Sequence, residues 1–169
     1  MPPGDPSTRS CARAGSKPAA RTNLYLNPQE NATSLDLSNG LDWHRWLNGD
    51  CPEVVTVALL MPDVMSIIGA KSPNVLAARR CLQKIRHKHG IGAGEAMSIM
   101  DAVAMGSIIW FNSQPTSFQF HYKKLETGRR YKLILKVVPF RPEVWLSTFF
   151  PSDENTFKSA RRKGKLLKE

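Results

Sequence analysis

Ser117–Phe150 reads SFQFHYKKLETGRRYKLILKVVPFRPEVWLSTFF, and its hydrophobic period is two. Phe118, Phe120 and Tyr122 alternate with Gln119 and His121 over Ser117–Tyr122. Glu126-Thr127-Gly128 supplies a hairpin loop. Over Arg130–Val138, Tyr131, Leu133, Leu135 and Val137 oppose Lys132, Ile134 and Lys136. Pro139–Pro142 turns the chain, and Val144–Phe150 puts Val144, Leu146, Thr148 and Phe150 on one expected face. The connections are too short for parallel crossovers, so these three strands are expected to be antiparallel neighbours. Ser107–Phe111 adds a strand upstream.

Before this stretch the pattern changes. Val54–Leu60, β-branched and bounded by Pro52 and Pro62, reads as a buried strand. Pro62 opens a short helix to Ile68, stopped by Gly69. Ser72-Pro73-Asn74 is a turn. Val75, Ala78, Leu82, Ile85 and His89 then recur at spacings of three and four, which predicts one helix over Val75–His89 with Gly90 as its stop. A further helix runs from Gly94 to near Gly106 on Met97, Met100 and Val103 or Ala104. Asp42–Leu47 forms a turn of helix that lays Trp43 and Trp46 on the domain. Downstream, Ser152 or Asp153 caps a basic helix, Glu154–Lys163. Helices followed by consecutive strands make the class α+β.

Met1–Gly40 is rich in Pro, Ser, Asn and Arg and reads as a basic linker or tail before a domain at 41–169. It has no apolar core segment of a signal peptide. No run of 18 apolar residues exists, so a membrane partner is not expected. The net charge of +10 points to a polyanionic partner. Three cysteines without metal-ligand spacing read as reduced thiols of a cytoplasmic protein or passenger, and no metal or cofactor is expected.

The helix expected to end at His89 puts an imidazole where the apolar stripe runs out, near the negative end of the helix dipole, which favours the imidazolium. The same position suits a histidine that only caps the last carbonyls. Cleavage of RNA without metal needs a base for the 2′-hydroxyl, an acid for the leaving 5′-oxygen and donors for the phosphate. His89, Lys84 and the Ser147-Thr148 pair are of the types required, and His121 is a second candidate acid or base. Each also has an ordinary role as a solvated or strand residue. No hydrolase elbow, P-loop, zinc motif or dinucleotide fingerprint is present.

The succession VVTVALLMPDVMSIIG, CLQKIRHKHGI, SIIWFNSQ, YKLILKVVP and WLSTFFP resembles the phage MuF C-terminal toxin domain and its relatives. These belong to the barnase–EndoU–colicin–RelE (BECR) class of ribonucleases. The resemblance covers roughly Pro52–Leu167. It implies N-terminal helices packed on a four-stranded antiparallel sheet, and metal-independent cleavage of RNA, often transfer RNA. It maps the family's helix histidine to His89, its helix lysine to Lys84, and its strand hydroxyl to Thr148 with Ser147 beside it. Phe149 or Phe150 stands where the family often has tyrosine, which leaves the identity of the acid open.

The expected function is therefore an endoribonuclease toxin domain that forms a 2′,3′-cyclic phosphate. His89 would be base or acid, Lys84 a phosphate clamp and Thr148 a phosphate or orientation donor. Lys123, Lys124, Arg129, Lys136, Arg161, Arg162 and Lys163 would steer RNA. An acidic immunity or antitoxin protein is the expected partner, in the cytoplasm of the producer or of a target cell. The alternative is a non-catalytic basic module that binds nucleic acid or builds a phage particle.

Overall fold

The computed structural model describes residues 33–34 and 40–169, so the expectation of a linker over Met1–Gly40 falls almost wholly outside the described residues. The strands are β1 (Thr33–Ser34), β2 (Val54–Leu59), β3 (Asn74–Ala78), β4 (Ser107–Trp110), β5 (Ser117–Lys123), β6 (Arg130–Val137), β7 (Val144–Ser152) and β8 (Lys165–Lys168). The helices are α1 (Gly40–Leu47), α2 (Pro62–Ile68), α3 (Arg79–His89), α4 (Ala93–Ala96), α5 (Ser98–Met105) and α6 (Glu154–Lys163). The class is α+β. One sheet runs β1-β2-β3-β7-β6-β5-β4-β8. It has eight strands among the described residues, where the resemblance implied four. The centre, β7-β6-β5-β4, is antiparallel as the alternation required, whereas β1–β2 and β3–β7 pair in parallel.

The long helix expected over Val75–His89 is a strand followed by a helix. Val75, Leu76 and Ala77 are all fully buried, between β2 on one side and β7 on the other. A surface helix buries one stripe, but a central strand buries both faces, so a short apolar run satisfies either period. Ala78 is still extended, and the helical spacing holds only from Arg79. From there Leu82 and Ile85 are buried, and Gly90 ends the helix in the left-handed region at φ 66°, donating to the Arg86 carbonyl. The helix expected from Gly94 to Gly106 is also divided, into α4 and α5 at Met97. Glu95 folds back to accept from the Gly92 N–H (3.4 Å), which ties the first turn of α4 to its entry.

The expected common face of Val144, Leu146, Thr148 and Phe150 is corrected as well. Leu135 pairs with Leu146 but Ile134 pairs with Thr148, so Ser147 is the extra residue of a β-bulge. Val144, Leu146 and Phe149 face the core, and Thr148 and Phe150 turn to the opposite face. The core lies on one side of the sheet. It is filled by Trp43, Trp46, Leu82, Ile85, Ile99 and Val103 against Phe120, Leu133, Leu135 and Phe149. On the other side α6 crosses β5 and β6, with Phe157 against His121 (5.3 Å between ring centroids) and Arg130.

Candidate functional site

The second face carries two cross-strand rows. Ile109, Gln119, Ile134 and Thr148 are in register across β4-β5-β6-β7. The next row is Ser107, His121, Lys132 and Phe150. Same-row neighbours stand about 5 Å apart.

α3 brings His89 to the β7 end of both rows. Its residues Cys81, Ile85 and His89 lie at four-residue intervals along one stripe against β7. The Cys81 thiol donates to the Leu146 carbonyl (3.3 Å) and reaches that of Ser147 (3.5 Å), and Ile85 is fully buried. Two turns after Cys81, His89 Nε2 lies 3.4 Å from Thr148 Oγ1, and its ring stacks on Phe150 at 5.2 Å. The bulge is what turns both partners toward the histidine. Ser147 contributes its backbone carbonyl as a contact for α3.

Partial desolvation, with Lys88 and Lys84 nearby, holds the His89 pKa below the ordinary 6.5. The helix C-terminus favours the cation, but burial and two positive charges act against it. The ring is therefore neutral at neutral pH, which suits a proton acceptor better than a donor. Lys132 lies with its ammonium 5.9 Å from the Phe150 ring centroid. It is half-buried, and desolvation draws its pKa down. In the sequence it is one more lysine on a polar strand face; only the strand register sets it opposite Phe150. Lys84 is exposed on the flank of the α3 stripe. Neither lysine is ion-paired among the described residues.

His121 is placed apart from His89, with Lys132 and Phe150 between them in the row. It is 4% exposed beneath α6, and its Nε2 is buried without a hydrogen-bond partner among the described residues. Burial first, then Lys132 and Arg130, lower its pKa to about 4. The basic residues divide into engaged and open ones. Arg129 is held by Glu95 at 2.5 Å, where the Tyr131 hydroxyl also donates, and Arg161 by Glu169 at 3.0 Å. Lys123, Lys124, Lys136, Arg162 and Lys163 form no ion pair among the described residues. Lys136 lies on the second face beside Trp145, and Lys163 faces the cleft under α6. No group of three or more His, Cys, Asp or Glu among the described residues could hold a metal ion. No helix among them is long and apolar enough to cross a membrane.

Comparison with protein-family models, with curated proteins and with solved structures gave no match for this chain.

Proposed function

We propose that residues 41–169 form an endoribonuclease domain of the BECR type, cutting RNA by transesterification without a metal. The observation that carries this reading is the contact of His89 Nε2 with Thr148 Oγ1, beside the ammonium of Lys132, which has no ion pair among the described residues. The run β4-β5-β6-β7 with α3 laid against β7 supports the fold part of the reading.

In this mechanism neutral His89 takes the proton of a 2′-hydroxyl, whose oxygen attacks the adjacent phosphorus. The bond from phosphorus to the 5′-oxygen breaks, and Lys132 supplies the proton to that oxygen. A lowered pKa makes a lysine a better acid. Thr148 donates to a phosphate oxygen, and Lys84 and Lys132 oppose the charge that builds there. The products are a 2′,3′-cyclic phosphate and a 5′-hydroxyl. His89 and Lys132 then return to their starting states by exchange with water. An RNA face this basic fits a partner that is acidic, and we place the immunity or antitoxin protein over the same face.

The test is an end-group measurement. Single-stranded RNA incubated with the purified protein and a chelator should yield cyclic-phosphate ends, and a 2′-deoxy nucleotide at the cut position should block cleavage there. Cutting that ignores the 2′-deoxy substitution, or that stops with the chelator, contradicts the mechanism. Salt-sensitive binding without cutting makes the domain a basic nucleic-acid-binding module.

A further inference from the structure

An open cleft of about 440 Å³ lies between the second face of the sheet and α6. Its floor is Gln119 on β5 and Lys132 on β6. Its wall is α6, with Asn155, Ser159 and Lys163, and Phe111 also lines it. Asp153 also borders it, but that carboxylate accepts from the Thr156 N–H at 2.6 Å and is committed to the helix start.

Lys132 lines the cleft and its ammonium lies 5.9 Å from the Phe150 ring on which His89 stacks, so this residue links the cleft to the His89 site. Gln119 pairs with Ile134 and Ile134 with Thr148, so two strand spacings, about 10 Å, separate Gln119 from Thr148. A nucleotide whose phosphate rests on Thr148 can therefore direct its base under α6. The lining suits a base better than a second phosphate. Two carboxamides, Gln119 and Asn155, and two hydroxyls, Thr156 and Ser159, outnumber the two cations, and the Phe111 ring also lines the cleft. The second observation lies in Gln119 itself. Its Oε1 is buried and accepts no hydrogen bond among the described residues. The terminal torsion of glutamine is soft, so a half-turn exchanges oxygen and nitrogen at little cost. As the side chain stands, this acceptor is unpaired among the described residues, and the half-turn would offer the oxygen to a ligand that supplies the donor.

Resting on the ribonuclease reading above, we propose that this cleft seats the base adjacent to the scissile phosphate and that Gln119 reads it. A carboxamide makes a two-point pair with adenine, accepting from its exocyclic amino group and donating to a ring nitrogen. Adenine is therefore the base assigned, with Phe111 beside it and Lys132 between base and phosphate.

The test uses uncharged nucleosides as well as RNA. Adenosine, guanosine, cytidine and uridine are titrated separately into the purified protein, and the Gln119 side-chain amide is followed by NMR. Adenosine should shift that resonance saturably, with little dependence on salt, and the other nucleosides should bind about ten- to hundredfold more weakly. Gln119→Leu should abolish the discrimination without lowering the melting temperature, because it removes an unpaired acceptor. In a cleavage assay the same variant should flatten the distribution of bases at cut sites while still cutting. If RNA is cut but no nucleoside moves Gln119, or all four move it equally, the base site is wrong and the ribonuclease reading stands. If adenosine binds and no RNA is cut, the base site stands and the catalytic reading falls.

Discussion

His121 makes the stability of this domain depend on pH in a way its position specifies. The ring is 4% exposed, tilted against Phe157, and its Nε2 is buried without a partner among the described residues. The groups nearest in charge are Lys132 and Arg130, the latter ion-paired with Glu154. An imidazolium there would lose its hydration beside two cations, so the folded pKa falls to about 4 from the ordinary 6.5. Because the folded value is depressed, the unfolded chain binds the proton first as pH falls. Stability from this group is complete above pH 6.5, declines between 6.5 and about 4, and levels off below that. The loss across the window is on the order of 3 kcal/mol. His121→Leu removes the titration and keeps an apolar side chain against Phe157. Urea unfolding of both proteins at a series of pH values between about 7 and 4 measures the effect. Most of the acid destabilisation should be absent in the variant. His89 and the carboxylates titrate in both proteins, so they cancel in the difference. Parallel stability curves would refute the burial argument and return His121 to an accessible position.

Other perturbations test separate parts of the structure. The rate of cleavage should rise with pH through a value below 6.5, since His89 acts as a base with a lowered pKa, then hold level until Lys132 loses the proton it donates; a pH–rate profile of the wild type checks this, and a fall through the range just below 6.5 contradicts it. Gly164→Ala should destabilise by about 1–3 kcal/mol, because a Cβ there would lie 2.5 Å from Ile109 Cγ2 and 2.9 Å from the Trp110 carbonyl, at the start of β8; thermal melts give the answer. Lys163→Ala should reduce the slope of log affinity for RNA against log salt by about 0.7. Arg129→Ala should lower stability more than that slope, because its guanidinium is held by Glu95; binding titrations at several salt concentrations compare the two.

Much of the centre was legible because its signals agree. In β5 and β6 alternation, turn residues and strand length all point to one register, and α6 follows from Asp153 as a cap accepting from Thr156. The missed features are those in which two physical causes leave the same residues. Val75 and Ala78 fit a helical stripe with Leu82, although β2 and β7 hold Asn74–Ala78 extended. The pairing partners of a strand are distant in sequence, so no local period records them. The bulge at Ser147 is invisible for a related reason: one extra residue reverses the faces without altering composition. β8 was hidden by its lysines, because Lys165 and Lys168 make four residues look like a solvated end. Lys168 in fact reaches Asp63 at 2.9 Å and the Ala104 carbonyl at 3.2 Å. At the candidate site, His89 was singled out from its place on a helix stripe and Thr148 through the hydroxyl pair, and the structure brings these two side chains to 3.4 Å. Lys132 and Gln119 needed the register, since neither residue type is unusual on an open strand face.

The most direct measurement of the central claim is RNA cleavage by purified His89→Ala beside the wild type, with chelator present and melting temperatures recorded. A positioned base contributes about 10²–10⁴-fold in rate. The variant should lose that factor while keeping its fold and its salt-dependent binding to RNA. A histidine that only caps α3 gives the opposite pattern: stability lower by ~0.3–2 kcal/mol and cleavage per folded molecule unchanged. Cleavage by His89→Ala at the wild-type rate would contradict the account.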